Sequence, residues 1–210
     1  MKNINIPDPP TSLVDFILKE DNILYKHFDF EVRYIVPYLD ILWRKINPKG
    51  HKILNMGIED RTPRNILSAI DYGVEISHVE LGDKHTVEIS ESETIIWQTD
   101  FFSYVKAARK NTSDGAVLWH GPEHLEKDIG EKAIRHAIRV ASEWVIVSCP
   151  WDRLKGWKSG KKFNKATRKK LGHKSIWTED DLLKLGFKTL TIGERSVYPS
   201  FMLGWRFKNK

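Results

Sequence analysis

The chain holds one cysteine, Cys149, so no intrachain disulfide framework can form, and a reducing compartment is expected. No apolar run approaches the roughly 18 residues that a bilayer span requires. No hydrophobic stretch follows the lone lysine of MKNINIPDPP, so no secretory leader is readable and the expectation is a cytoplasmic protein with no membrane partner. Internal repeats and low-complexity tracts are absent. Two local scarcities are more informative. The turn NMGIEDR, residues 55–61, contains a single glycine, and residues 155–174 contain no acidic side chain.

What is present fits one globular core. The 210 residues are 30% charged and 40% hydrophobic, a composition that excludes a disordered chain. The net charge of +6 makes a polyanion a reasonable partner but carries no information about the fold. From Pro10 the pattern turns helical, with Leu13, Phe16, Ile17 and Leu24 at helical spacing. A second run, EVRYIVPYLDILWRKI, puts Ile35, Leu39, Leu42, Trp43 and Ile46 on one face, and Pro37 kinks or restarts it. Residues 1–48 are therefore expected to form a helical cap, and residues 49–210 a separate domain.

In that domain short apolar strands alternate with helical runs: KILNMGI, PRNILSAIDYG, VEISHVEL, TIIWQTD, FFSYVKAARKN, DGAVLWH, EHLEKDIGEKAIRHAIRVA and EWVIVSCP. Such alternation builds right-handed strand–helix–strand units and a mostly parallel sheet covered on both faces. TEDDLLKLG opens with a capping box, Thr178 with Asp181 three residues on. FKTLTI and SFMLGWRF then lie close enough to pair as an antiparallel edge.

Ligands of open α/β sheets bind beyond the carboxyl ends of the strands, and several of those ends are polar here. Glu80 closes the second strand, where a carboxylate can accept from both ribose hydroxyls of an adenosine-containing ligand. Asp100 closes the third, where it can accept from an adenine amino group while the ring of Phe101 covers the base. Each carboxylate can equally serve as a helix cap.

Residues 114–150, WTEDDLLKLGFKTLTIG and the closing MLGWRF resemble the second half of class I S-adenosylmethionine-dependent methyltransferases. In that family an aspartate opens the fourth strand, an EHL-type helix start follows, a strand ends near proline, and a W-t-x-e-d-l-x-x-l-G-F segment leads to the final hairpin. The resemblance spans residues 50–207. It implies a Rossmann-like, doubly wound sheet of seven strands with the last one antiparallel, S-adenosylmethionine as cofactor, and methyl transfer as the reaction. The first half departs from the pattern. Where the family carries an acidic residue and then G-x-G-x-G, this chain has Asn55, Met56, Gly57, Ile58, Glu59, Asp60 and Arg61, and Gly57 alone matches. Either Glu59 or Asp60 takes over the ligand's ammonium, with Thr62 and Pro63 starting the helix, or cofactor binding is weakened or lost. On the first reading Gly57, Glu59, Glu80, Asp100, Phe101 and Trp119 contact the cofactor, although Trp119 also falls on an apolar, core-like face.

His120 lies where the resemblance places substrate, and its near-neutral pKa suits proton removal from a nucleophile; a backbone-bonded histidine is the plainer alternative. HGPEH formally matches a zinc-protease signature, but Pro122 separates its histidines, so no metal is expected. Cys149, at a strand end, reads either as an attacking thiol or as a small inert hydrophobe. The segment KGWKSGKKFNKATRKKLGHK interleaves Trp157 and Phe163 with Lys161, Lys162, Lys169, Lys170 and other cations. Such a segment can follow a phosphate backbone while its aromatics stack on bases, or it can be a solvated loop. The expectation is a methyltransferase acting on nucleic acid or another polyanion. The alternative is a non-catalytic binding module that keeps the fold and uses the basic segment to hold nucleic acid or protein.

Overall fold

The computed structural model of the chain describes residues 42, 46–56, 74–79, 93–96, 99–119, 121–150, 174–192 and 201–208. The expected cap falls mostly outside these; Leu42 and Ile46 are helical. The helical run from Pro63 also lies outside them. The chain divides into two compact units, Met1–Gly50 with Arg61–Val74, and His51–Asp60 with Glu75–Lys210. Among the described residues, all seven strands lie in the second unit.

The strands are β1 (Lys52–Met56), β2 (Glu75–Val79), β3 (Glu93–Ile96), β4 (Ser113–Trp119), β5 (Ala141–Pro150), β6 (Lys188–Ile192) and β7 (Phe201–Phe207). The described helices are α1 (Phe101–Ala107), α2 (Lys127–Val140) and α3 (Glu179–Lys184). One sheet takes the order β3-β2-β1-β4-β5-β7-β6. β1 pairs in parallel with β2 and β4, as do β2 with β3 and β4 with β5, while β7 runs antiparallel to both β5 and β6. Six strands thus share one direction and β7 alone is reversed, as expected from the sequence.

Alternation along the strands separates two buried sets. Leu54, Val79, Ala116, Leu118, Val145, Val147, Cys149 and Met202 join Phe101 and Val105 of α1, Ala133, Ile134, Ala137 and Val140 of α2, and Leu182 of α3 in one core. Between them on the strands, and so on the other face, fall Ile53, Asn55, Ile76, His78, Val117, Trp119, Ile146 and Ser148, all buried. α2 is helical because Gly130, Ala133, Ile134, Ala137 and Val140 recur at three- and four-residue spacing on one face. Its opposite face carries the spaced ion pairs Asp128–Lys132 and Glu131–Arg135. Arg139 donates to the last-turn carbonyls of α1, Val105 O at 2.6 Å and Lys106 O at 3.2 Å, which satisfies acceptors that a helix end leaves open.

Two boundaries differ from the sequence reading. Asp100 does not close β3, which ends at Ile96. EHLEKDIGEKAIRHAIRVA is not one helix: Pro122–His124 makes a separate 3-10 turn, Leu125 and Glu126 are extended with ψ of 152° and 145°, and α2 starts at Lys127. At its far end β5 begins at Ala141, directly after the last helical residue. Asp114, the aspartate near the start of β4, has a structural task at the sheet's amino edge. It accepts from Lys52 N at 2.9 Å and from the Ser142 hydroxyl at 3.3 Å, tying β1, β4 and β5 together.

Candidate functional site

The chain runs from β1 outward through β2 to β3, then returns to the other side of β1 as β4. That reversal makes the carboxyl ends of β1 and β4 the topological switch point, where open α/β sheets bind ligands. β1 ends in Met56 and β4 in Trp119, with Gly121 two residues beyond. A Cβ on Gly121 would stand 2.3 Å from the Met56 sulfur, so a side chain there requires the Met56 side chain to move.

Beside Met56, Asn55 is fully buried. Its amide nitrogen lies 3.0 Å from Nδ1 of His78, its register partner on β2, which is also fully buried. Asn55 stands where the resembled family carries a carboxylate, and in the sheet it is half of an interstrand pair.

Asp100 is the N-cap of α1, its Oδ1 accepting from Ser103 N at 2.9 Å. Partial burial pushes this carboxyl up. Hydrogen bonds from the Ser103 hydroxyl and N–H and from the N–H groups of Asp100 and Phe102 outweigh that, and hold it below the ordinary carboxylate range. It is therefore an anion at neutral pH, standing beyond the end of β3. Phe101 is 4% exposed and packs in the core, and Trp119 is 3% exposed on the opposite face, beside Ser148 of β5. These three are the described members of the expected set. Gly57, Glu59, Glu80, His120, Trp157, Lys161, Lys162, Lys169 and Lys170 lie outside the described residues.

Past Gly121, Glu123 is 2% exposed although acidic. Its backbone carbonyl accepts from Lys174 N at 2.7 Å and Ser175 N at 3.1 Å, and the Ser175 hydroxyl donates to Pro122 O at 3.1 Å. The chain is thus pinned, where it returns at Lys174, to the turn that follows β4. Next to it Lys127 donates to Ile176 O at 2.7 Å and to Asp181 at 2.6 Å, with its ammonium 3.8 Å from the centre of the Trp177 ring. Partial burial pushes the Asp181 carboxyl up, but the Lys127 and Thr178 hydrogen bonds and the Lys127 charge bring it below its ordinary range. An open cavity of about 510 Å³ is lined by Lys127, Ser175, Ile176, Thr178 and Asp181 together with Glu126 and Lys174.

Cys149 is fully buried, and burial, followed by the nearby Glu123 charge, raises its thiol well above the usual range. A thiol held neutral is a poor nucleophile, so its place is in the core. Among the described residues no group of three metal-ligating side chains converges, and no helix is long and apolar enough to cross a membrane.

No protein-family model matches the sequence, and no curated protein sequence matches it. Solved structures do match in fold. A 1,6-didemethyltoxoflavin-N1-methyltransferase of Burkholderia thailandensis, solved with S-adenosylhomocysteine, is similar at a TM-score of 0.59 and 13% identity, over 95% of this chain and 86% of that one. The N-methyltransferase NodS of Bradyrhizobium japonicum, also with S-adenosylhomocysteine, gives 0.54 and 13%, over 96% and 99%. The magnesium protoporphyrin IX methyltransferase of Synechocystis gives 0.53 and 14%, over 95% and 99%. The chain has the class I methyltransferase fold.

Proposed function

We propose that the chain is an S-adenosylmethionine-dependent methyltransferase whose acceptor is a nucleic acid or another polyanion. The observation that carries the first part is the strand order, with its switch point between β1 and β4 and an anionic Asp100 beyond β3. S-adenosylhomocysteine bound by neighbours of the same fold supports the choice of cofactor. The residues fit such a ligand in their chemistry. An adenine amino group is a donor and needs an acceptor such as the Asp100 carboxylate, and ribose hydroxyls need one such as Glu80. Gly57, Glu59 and Trp119 complete the set by sequence position. Once bound, the sulfonium supplies an electrophilic methyl group. The protein's task is then to align the acceptor and, where the nucleophile carries a proton, to remove it, the role assigned to His120.

The acceptor class rests on the basic segment. Pro150 ends β5 at the carboxyl edge, and Lys174 is bonded to Glu123 just beyond β4, so the residues bracketing 151–173 both stand on the ligand side of the sheet. Trp157, Lys161, Lys162, Lys169 and Lys170 are the residues assigned to the polyanion.

Thermal unfolding with S-adenosylhomocysteine tests the cofactor. Ligand at about 100 times its dissociation constant adds about 2.7 kcal/mol of stability, and an unmoved transition at millimolar ligand refutes the reading. For the acceptor, binding to single-stranded RNA and DNA is measured against salt. Affinity is expected to fall steeply as salt rises, and reversing Lys161, Lys162, Lys169 and Lys170 to Glu is expected to flatten that slope. Salt-independent binding removes the polyanion.

A further inference from the structure

Two polar side chains with no exposure at all face each other across neighbouring strands: Asn55 in the next-to-last position of β1, and His78 in the next-to-last position of β2. Burying an amide and an imidazole costs stability relative to an aliphatic pair, and the positions flanking them on the same face, Ile53 and Ile76, are such a pair in register. A pair of this kind at the end of two strands therefore calls for a reason beyond packing.

Its chemistry is directional. An amide nitrogen can only donate, so the contact from Asn55 Nδ2 makes His78 Nδ1 the acceptor and leaves the ring proton on Nε2. Aliphatic contact tolerates sliding, whereas a hydrogen bond of 3.0 Å adds a directional restraint between the two strands one residue before their backbone pairing ends. The very next residues are the strand ends Met56 and Val79, and in sequence Gly57 and Glu80 follow them.

We propose that Asn55 and His78 are a positioning pair, which holds the ends of β1 and β2 in the spacing that a nucleoside ligand bridges. This rests on the methyltransferase reading, and the test separates the two. Dissociation constants for S-adenosylhomocysteine are measured by calorimetry on the wild-type chain, Asn55→Ala, His78→Leu, the double variant and His78→Gln, each with its unfolding midpoint. Ile76→Val, on the same strand and face, is the control for lost packing alone.

Asn55→Ala and His78→Leu are each expected to weaken the ligand by about tenfold or more, the size of effect that small misplacements produce. The double variant should be no weaker than the worse single, since either change already removes the shared bond. His78→Gln, which keeps a side-chain acceptor, should recover most of the affinity, and Ile76→Val should lower the midpoint without moving the dissociation constant. Unchanged affinity in the single variants, additive losses in the double, or an equal loss in Ile76→Val overturns the pair while leaving the methyltransferase reading intact. Absence of binding by the wild-type chain overturns both. If Asn55→Ala does not fold, His78→Leu, which preserves volume, decides on its own.

Discussion

The two halves of the sheet are built differently. β4, β5 and β7 are seven, ten and seven residues long, and their central residues, among them Ala116, Leu118, Val145, Val147 and Met202, are buried apolar side chains in the core with α2 and α3. β1, β2 and β3 have five, five and four residues, and near the carboxyl ends of β1 and β2 a hydrogen-bonded polar pair takes the place of aliphatic contact. The long half is organised for stability, with the polar groups of its helix ends used in caps and ion pairs. The short half gives up apolar burial near the switch point, where the site needs direction. The same division is visible in the sequence, whose second half follows the resembled family while its first half departs from it.

The division is sharpest if damage to the long half costs stability. The largest effect is expected from Trp177→Ala. This ring is 1% exposed, packs on Gly130 and carries the Lys127 ammonium, so its loss should lower unfolding free energy by about 3–5 kcal/mol in denaturant titration. A loss under about 1 kcal/mol would mean that this core yields freely, contrary to the comparison.

A smaller loss, about 1–3 kcal/mol, is expected from Gly121→Ala, whose Cβ collides with the Met56 sulfur at the boundary between the halves. Met56→Ala should relieve it, so the double variant ought to melt closer to wild type than the sum of the singles. Additivity would show that the two strand ends do not in fact press on each other.

The smallest of the three is Asp181→Asn, expected to cost about 1–2 kcal/mol at neutral pH through the capping box and the Lys127 bond. The folded carboxyl is depressed, so its contribution is fully present above the unfolded value of about 3.9 and disappears as pH falls through the lower folded value. Stability of the variant should converge on that of wild type only as pH falls below the depressed folded value, under the ordinary carboxylate range. A difference that persists in acid would assign the effect to shape, not charge.

Much of the architecture was legible in advance because it is local. Thr178 and Asp181 announce their capping box within four residues, the α2 stripe repeats at helical spacing, and the reversal of β7 follows from its short connection to β6. Reading was less accurate where backbone choices depend on distant partners. The break at Leu125 and Glu126 sits where the preceding turn receives Lys174 and Ser175 from far along the chain. Asp100 was readable as either ligand acceptor or cap, and the cap contact is local; the lowering of its pKa needed the assembled set of four hydrogen-bonding groups. His78 carried no signal at all, since one polar residue in an alternating strand looks like a solvent-facing position until its register partner is known.

By itself the sequence determined the alternation of strands and helices, the reversed final strand and the basic stretch, since each arises from periodicity, capping or composition within a few residues. Only the tertiary structure decided that Asn55 meets His78, that Gly121 lies against the Met56 side chain, and that Cys149 remains a neutral thiol. Those outcomes depend on which side chains from remote segments are brought within a few ångströms in a medium without water, where the worth of a polar group is set by its neighbours.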